Sequence, residues 1–462
     1  MSSLEDQSHD DSSLEVSPEH LSSRQDELIV AIPYVDLVID KMIGLPVRVI
    51  GRERSDDLGL ELLKLEFGVH FLTDSATQRD LANAKAANPQ PPGSVDPKDR
   101  VGPLMEIVKY KIASSSGKWV PTMGRNRELG HLTATDGRVI SFDDDPKAVE
   151  PDKYLPSLEE LRTKAGEPRR EVVVGIADTA LWDHPWYASA RIDKVGPFPV
   201  PSLARPGSAN PYRTAHSTFV SGLILAQAPS ARLIVSGVLD SEGIGDSWQV
   251  AKSIAELAKT KIDILNLSFC QFTGDAKAPL ALATAIDRLD SETVVVAGAG
   301  NYGGKERKFV PYPGADPIDL SIAPEWPAAL DDVVAVGSTK GATSERAIFS
   351  PDAHWVDILA PGDTVVSTFI GALLPERPAR PFARWSGTSF STAIVTGAIA
   401  ARMAAMNKSA RAAWQDILLD ASLVQFGLKM SATGLTTSSK VPKVLEETAR
   451  LEKLIGEPTP RT

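Results

Sequence analysis

Short apolar runs alternate with longer stretches of helically spaced apolar residues from Arg170 to about Asn407. The runs Val172–Ile176, Ala231–Val238, Ile262–Leu267, Val294–Ala297, Val333–Val336 and Trp355–Leu359 carry few polar interruptions. Strands of that kind are buried on both faces, as in a parallel sheet covered by helices on either side. Between them Ser217–Ala226, Trp248–Ala258, Pro279–Leu289 and Ser389–Met406 repeat apolar or small residues at helical spacing. The alternation predicts an α/β fold: a three-layer, doubly wound, mostly parallel sheet.

Ahead of this region the pattern is weaker and points to a separate N-terminal α+β domain over 28–165. Leu28–Ile32 reads as a strand followed by a helix, and Val47–Ile50 as a second strand. Leu58–Glu66 fits a period of two or of 3.6 and stays unassigned. Further short strands are expected within Leu104–Ala113 and Gly137–Ile140, and a short helix from Pro156. Asn88–Pro97, rich in proline, is a linker or exposed loop. Residues 1–27 form an acidic leader whose composition predicts disorder. The α/β domain is expected over 166–425, with an extension over 426–462 holding an amphipathic helix, Lys443–Ile455, that packs on the domain.

Composition narrows the partners. A net charge of -11 argues against nucleic acid or an anionic membrane as the main partner. Cys270 is the one cysteine, so no disulfide forms within the chain. The start Met1-Ser2-Ser3-Leu4-Glu5-Asp6 lacks the basic and apolar regions of a signal peptide, and no apolar run approaches a membrane span. A cytoplasmic protein is therefore expected. Asp143-Asp144-Asp145 lacks the alternating ligands of a calcium loop, so a solvated turn is expected there and no metal or cofactor anywhere.

Four segments carry candidate chemistry. Ser386-Gly387-Thr388-Ser389 runs into a small-residue helix free of charge until Arg402, which puts the Ser389 hydroxyl at the positive end of a helix dipole. A serine there is ordinarily an N-cap; as a nucleophile it needs a base and an orienting carboxylate. His216 opens a second polar turn leading into an apolar helix. Asp178 ends an apolar run of strand type, where sites form in parallel sheets. Asn301 follows Val294–Gly300 and can donate to an oxyanion through its amide.

In the order Asp178, His216, Asn301, Ser389, these segments resemble the subtilisin-like serine proteases, the subtilases or peptidase S8 family. Ile264-Leu265-Asn266-Leu267-Ser268 is similar to the family strand that pairs with substrate backbone, and Glu325-Trp326-Pro327-Ala328, Val333–Gly337 and Asp357–Gly362 recur in family positions. The resemblance covers about Glu171 to Asn407. It implies a serine endopeptidase acting on a protein or peptide, with Ser389 as nucleophile, His216 as base, Asp178 as its orienter and Asn301 as oxyanion donor. It also implies that Ser268, Phe269, Cys270 and Gln271, with Gly298, Ala299 and Gly300, flank the pocket for the residue before the cut. Subtilases commonly have glycines where Cys270 and Gln271 stand, so a restricted specificity is expected.

Ala180, Ser217-Thr218-Phe219 and Phe390–Ile394 depart from the family pattern and mark a divergent, intracellular branch of bacterial type, without removing a catalytic group. Lys305, Arg307 and Lys308 read as a solvated loop, and Cys270 as an ordinary thiol. The resemblance leaves the N-terminal domain as either a cleaved propeptide or a permanent domain that a regulatory partner addresses; the permanent domain is preferred. The competing reading of the whole chain is a catalytically silent protease fold used as a binding scaffold.

Overall fold

The structure is a computed structural model that describes residues 23–87, 99–130, 145–149, 156–208, 211–304, 308–309, 317–341, 343–374, 381–425 and 436–437. The expectations for the acidic leader up to residue 22, for the Asn88–Pro97 linker, for a strand at Gly137–Ile140, for Asp143-Asp144 and for a helix at Lys443–Ile455 lie outside the described residues.

The N-terminal domain holds β1 (Ser23–Ala31), α1 (Val35–Met42), β2 (Val47–Ser55), β3 (Leu60–Phe67), α2 (Ser75–Ala87), α3 (Val101–Ala113) and β4 (Met123–Leu129). The strands form an antiparallel sheet in the order β2-β3-β1-β4. Leu104–Ala113, expected to contain a strand, belongs instead to helix α3. Its buried residues Val101, Leu104, Ile107, Val108 and Ile112 recur at three to five positions, a helical stripe that packs on the sheet with Leu28, Val30 and Leu63. The unassigned Leu58–Glu66 is largely strand β3.

The second domain is α/β. After α4 (Leu158–Ala165), it contains β5 (Val173–Thr179), β6 (Arg191–Val195), α5 (His216–Gln227), β7 (Arg232–Leu239), α6 (Ser247–Lys259), β8 (Ile264–Leu267), α7 (Leu280–Asp287), β9 (Val294–Gly298), β10 (Val333–Thr339), β11 (Ile358–Pro361), α8 (Thr388–Met406) and α9 (Ala410–Gln425). The order β11-β10-β9-β8-β5-β7-β6 is parallel throughout, and the pair Thr436–Thr437 adds an antiparallel edge beside β11. From β5 the chain winds one way through β7 and β6, then returns to β8 and winds the other way, so the switch point falls between β5 and β8.

Two strand details differ from the sequence expectation. Strand β6 carries the apolar Ile192 and Val195 among charged neighbours, because an edge strand needs no second buried neighbour. The strand expected from Trp355 begins only at Ile358.

Helices α5 and α8 cover one face, with Phe219, Ile224, Val395 and Ile399 in the same core as Val174 and Val296. Helix α8 is long and apolar enough by composition to cross a membrane, against the expectation that no segment would be; two thirds of that window is buried inside this core. Gly397 explains how α8 lies so close to α5: a Cβ there would sit 2.9 Å from the Ile224 carbonyl oxygen.

Helices α6 and α7 cover the other face, and the N-terminal sheet packs over them. Ile29, Leu58, Leu60, Leu62 and Leu129 share a core with Trp248, Ile254, Ala281 and Leu282. Polar groups register the seam. Gly245–Asp246 pairs antiparallel with Glu128–Leu129 and so extends the N-terminal sheet. Asn126 is buried at its centre. It donates from Nδ2 to Glu27 Oε2 (2.7 Å) and Asp246 Oδ1 (3.1 Å), and its Oδ1 accepts from Ser247 Oγ (2.9 Å) and the Trp248 N–H (3.0 Å).

Asn126→Ala would strand several of these buried partners at once. We expect a loss of about 2–4 kcal/mol, given about 1–3 for each buried group left unpaired and partial rescue by water. Urea unfolding measures it, and a shift well under 1 kcal/mol would show that the network does not register the two domains.

Candidate active site

Strands β5, β8 and β9 are neighbours in a parallel sheet, so their carboxyl ends emerge side by side at the switch point. Asp178 is the penultimate residue of β5, Ser268 follows β8, and Asn301 comes three residues after β9. His216 begins α5 and Ser389 is the second residue of α8, and the two helices lie against each other on one face. The topology thus delivers five distant segments to one edge.

Asp178 is fully buried and accepts from the Thr179 N–H at 2.6 Å. Its two oxygens lie 2.9 and 2.8 Å from His216 Nδ1. An acceptor at Nδ1 selects the tautomer with its proton there and leaves Nε2 as the base. The Thr179 hydroxyl accepts from the Ser217 N–H at 3.1 Å and so ties the start of α5 to the end of β5. Trp385 and Phe390 wall the imidazole, with ring centroids 6.0 and 5.7 Å away.

Ser389 is half-buried, next in sequence to the ring that lies against His216. Its Oγ donates to the Ser268 carbonyl at 2.8 Å, and the Ser268 hydroxyl returns a bond to the Ser389 carbonyl at 2.9 Å. The Ser389 hydroxyl is therefore turned toward the end of β8. Asn301 Oδ1 accepts from the Thr388 N–H (2.9 Å) and the Thr388 hydroxyl (3.1 Å). That contact orients the amide: its oxygen is held by the first residue of α8, and its NH2 is turned the other way. Gly298 permits the approach, since a Cβ there would meet Thr388 Oγ1 at 3.3 Å and the Ser389 nitrogen at 3.6 Å.

The other residues expected to flank the pocket divide. Gly298 and Gly300 lie against Thr388, and Gly300 donates its N–H to Thr388 Oγ1 at 3.2 Å. Cys270 is half-buried, and Gln271 is buried with an unpartnered Oε1. The side chains of Phe269 and Ala299 are buried in the core. The ring of Phe269 is in the core with Leu267, and Ala299 packs with Ala353, Val356 and Leu359. Sequence reasoning gave no role to Thr388, which holds Asn301, or to Trp385, which walls the imidazole; neither residue type signals such work. Glu325, noted only as a landmark, is buried beside Gly300 and Cys270.

His184 is the other buried histidine of this domain. Its Nδ1 accepts from the Trp186 N–H and its Nε2 donates to the Pro381 carbonyl, both at 3.1 Å. Burial lowers its pKa, and both nitrogens are engaged, so it is structural. Among the described residues no group of three or more His, Cys, Asp or Glu side chains could hold a metal ion.

Comparisons with known proteins identify the family. The sequence profile of the subtilase family, peptidase S8, matches residues 169–448. Subtilisin E of Bacillus subtilis (strain 168) is 31% identical over 207 residues, covering 42% of this chain and 48% of the relative. Mycosin-4 of Mycobacterium tuberculosis is 29% identical over 218 residues, covering 40% of this chain and 46% of its own. The chain thus spans about half the length of these curated relatives. Among solved structures, the protease domain of PatA aligns at 21% identity and a TM-score of 0.45, over 62% of this chain and 97% of that one. The prenylagaramide maturation protease PagA aligns at 23% and 0.43, over 58% and 89%.

Proposed function

Taking as premise that the chain belongs to the subtilase family, we propose that it is a serine endopeptidase acting on a protein or peptide substrate. The observation that carries this reading is the buried Asp178 carboxylate on His216 Nδ1 at 2.8 Å, on the same sheet edge as the Ser389 hydroxyl. A buried imidazole hydrogen-bonded to a carboxylate has no structural task there that a hydrophobic residue would not perform. As a base it has a clear one.

In this mechanism the Ser389 hydroxyl rotates from the Ser268 carbonyl to His216 Nε2, which takes its proton as Oγ attacks the substrate carbonyl. Asp178 holds the imidazole and stabilises its cation without taking the proton. The tetrahedral oxyanion is bound by the Asn301 NH2 and the Ser389 N–H, the latter at the positive end of α8. Collapse expels the leaving amine, protonated by His216, and leaves an acyl-enzyme that water hydrolyses by the reverse steps. The side chains at Cys270 and Gln271 restrict the pocket, so the enzyme suits a particular target rather than general degradation.

The N-terminal domain is, in this reading, a permanent regulatory domain. Its support is the buried seam on α6 and α7, which joins the Asn126 network to an apolar core. The chain leaves this domain at Gly130 and is again described at Asp145; Lys147–Ala148 then pairs with Ala383–Arg384, next to Trp385 against His216. A partner that disturbs the seam is therefore well placed to alter the site.

Ser389→Ala should abolish labelling of the purified protein by a fluorophosphonate; labelling that survives would place the nucleophile elsewhere. Asn301→Ala should leave KM near its original value and lower kcat about 10²- to 10³-fold, a range known from the corresponding amide of subtilisin itself. Unchanged turnover would remove Asn301 from the oxyanion site. Intact mass spectrometry should find the same full-length chain in active protein and in Ser389→Ala. Trimming between about residues 130 and 156 in the active protein alone would identify a cleaved propeptide.

A further inference from the structure

Glu325 has no part in the mechanism above, yet it is 1% exposed and, among the described residues, neither carboxylate oxygen has a nitrogen or oxygen donor as hydrogen-bond partner. Burial drives its pKa well above the usual carboxylate range; the Cys270 thiol, a weak donor, acts in the opposite sense and does not offset it. Asp357, a second carboxyl raised by burial, is by contrast held by the Ala335 N–H at 2.8 Å. An unpaired buried carboxyl is costly to retain, and such groups in native proteins call for an explanation.

Its position supplies one. The segment that leaves Ser268 continues to Gln271–Phe272, which pairs antiparallel with Glu325–Trp326. The pairing brings Glu325 against Gly300: a Cβ there would lie 3.0 Å from Glu325 Cγ and 3.6 Å from Cys270 Sγ. Gly300 in turn donates to Thr388 Oγ1, one residue from Ser389. Contacts therefore run without a break from the nucleophile's helix through Thr388 and Gly300 to Glu325. Gln271 adds another buried oxygen without a partner on the strand opposite Glu325. Among the described residues no nitrogen donor is paired to these acceptors, a setting that suits a donor-rich cation from outside.

We infer that Glu325 sets the specificity of this protease by pairing, between Ser268–Gln271 and Gly298–Gly300, with the lysine or arginine side chain of the substrate residue whose carbonyl Ser389 attacks. This rests on the protease reading and names its substrate class: peptide bonds that follow a basic residue. An entering ammonium or guanidinium gives the carboxylate the partner that the fold withholds, whereas an apolar side chain leaves it buried and unpaired. Close charge pairs at buried interfaces couple strongly enough to expect a preference of about 100-fold or more.

The test uses the full chain and peptides identical except for arginine, lysine, leucine or glutamate before the cut, with cleavage sites mapped by mass spectrometry. Wild-type kcat/KM for arginine or lysine should exceed that for leucine about 100-fold, and Glu325→Gln should collapse the ratio to within a few fold. Benzamidine, a small amidinium probe, should raise the Tm of Ser389→Ala and fail to raise that of Ser389→Ala combined with Glu325→Gln. Fluorophosphonate labelling is run in parallel. A protein that labels at Ser389 yet prefers leucine or glutamate overturns the role of Glu325 and leaves the protease reading standing. So does one that keeps its basic preference after Glu325→Gln. Absence of both labelling and cleavage removes the protease reading, and this inference falls with it.

Discussion

The site depends on one constraint: three adjacent parallel strands, β5, β8 and β9, must end on the same edge of a sheet whose two faces are covered. Within the sheet nearly every side chain is buried, and polar groups have room only where the strands stop. Asp178, Ser268 and Asn301 occupy those stops. The helices that follow the same edge bring His216 and Ser389 with their first turns, where backbone N–H groups lack intrahelical partners and favour developing negative charge. Chemistry is thereby confined to the one boundary where burial and hydration meet.

Small residues convert this topology into geometry at hydrogen-bond precision. Gly397 lets α8 settle against α5, and Gly298 lets the start of α8 reach the end of β9. Thr388 then holds Asn301 by both its N–H and its hydroxyl, while the reciprocal bonds between Ser268 and Ser389 tie α8 to β8. Helix α8, which carries the proposed nucleophile, is thus anchored to two strands. Beyond rotation of the Ser389 hydroxyl, the proposed mechanism then needs little reorganisation, the condition under which fixed dipoles stabilise a transition state most effectively.

Two buried carboxyls near this edge show how environment assigns roles. Asp178 has an imidazole and a backbone N–H to answer its charge. Glu325 lacks such partners, and burial holds its pKa far above the ordinary range. In the proposed mechanism the same functional group orients a base in one place, and in the inferred specificity site it awaits a charge from the substrate. The docked N-terminal sheet adds a third element, because its seam lies on α6 and α7, against the face opposite α5 and α8. In the proposed regulatory reading, its route to the site is the sheet and the chain that returns beside Trp385.

Much of the architecture was legible in the order of residues. Continuous apolar runs marked the inner strands of the main sheet because burial on both faces leaves a local record in composition. The edge strand β6 left none, since only alternate positions need be apolar there. Helix α3 was misjudged because its stripe of Val101, Leu104, Ile107, Val108 and Ile112 competes with a dense local run of apolar residues. The residues of the proposed mechanism were recognisable by type, context and chain order. Their coupling was not: the Asp178–His216 contact, the Thr388 hold on Asn301 and the turn of Ser389 toward Ser268 join residues from 38 to 121 positions apart, or 87 for Asn301. Glu325 is the sharpest case. Its neighbours in sequence give it no charge partner to seek, and only the pairing with Gln271–Phe272 and the approach of Gly300 reveal where its carboxylate lies. Periodicity and composition are properties of neighbours along the chain, whereas electrostatic environment is a property of neighbours in space, and that is the part tertiary structure alone decided.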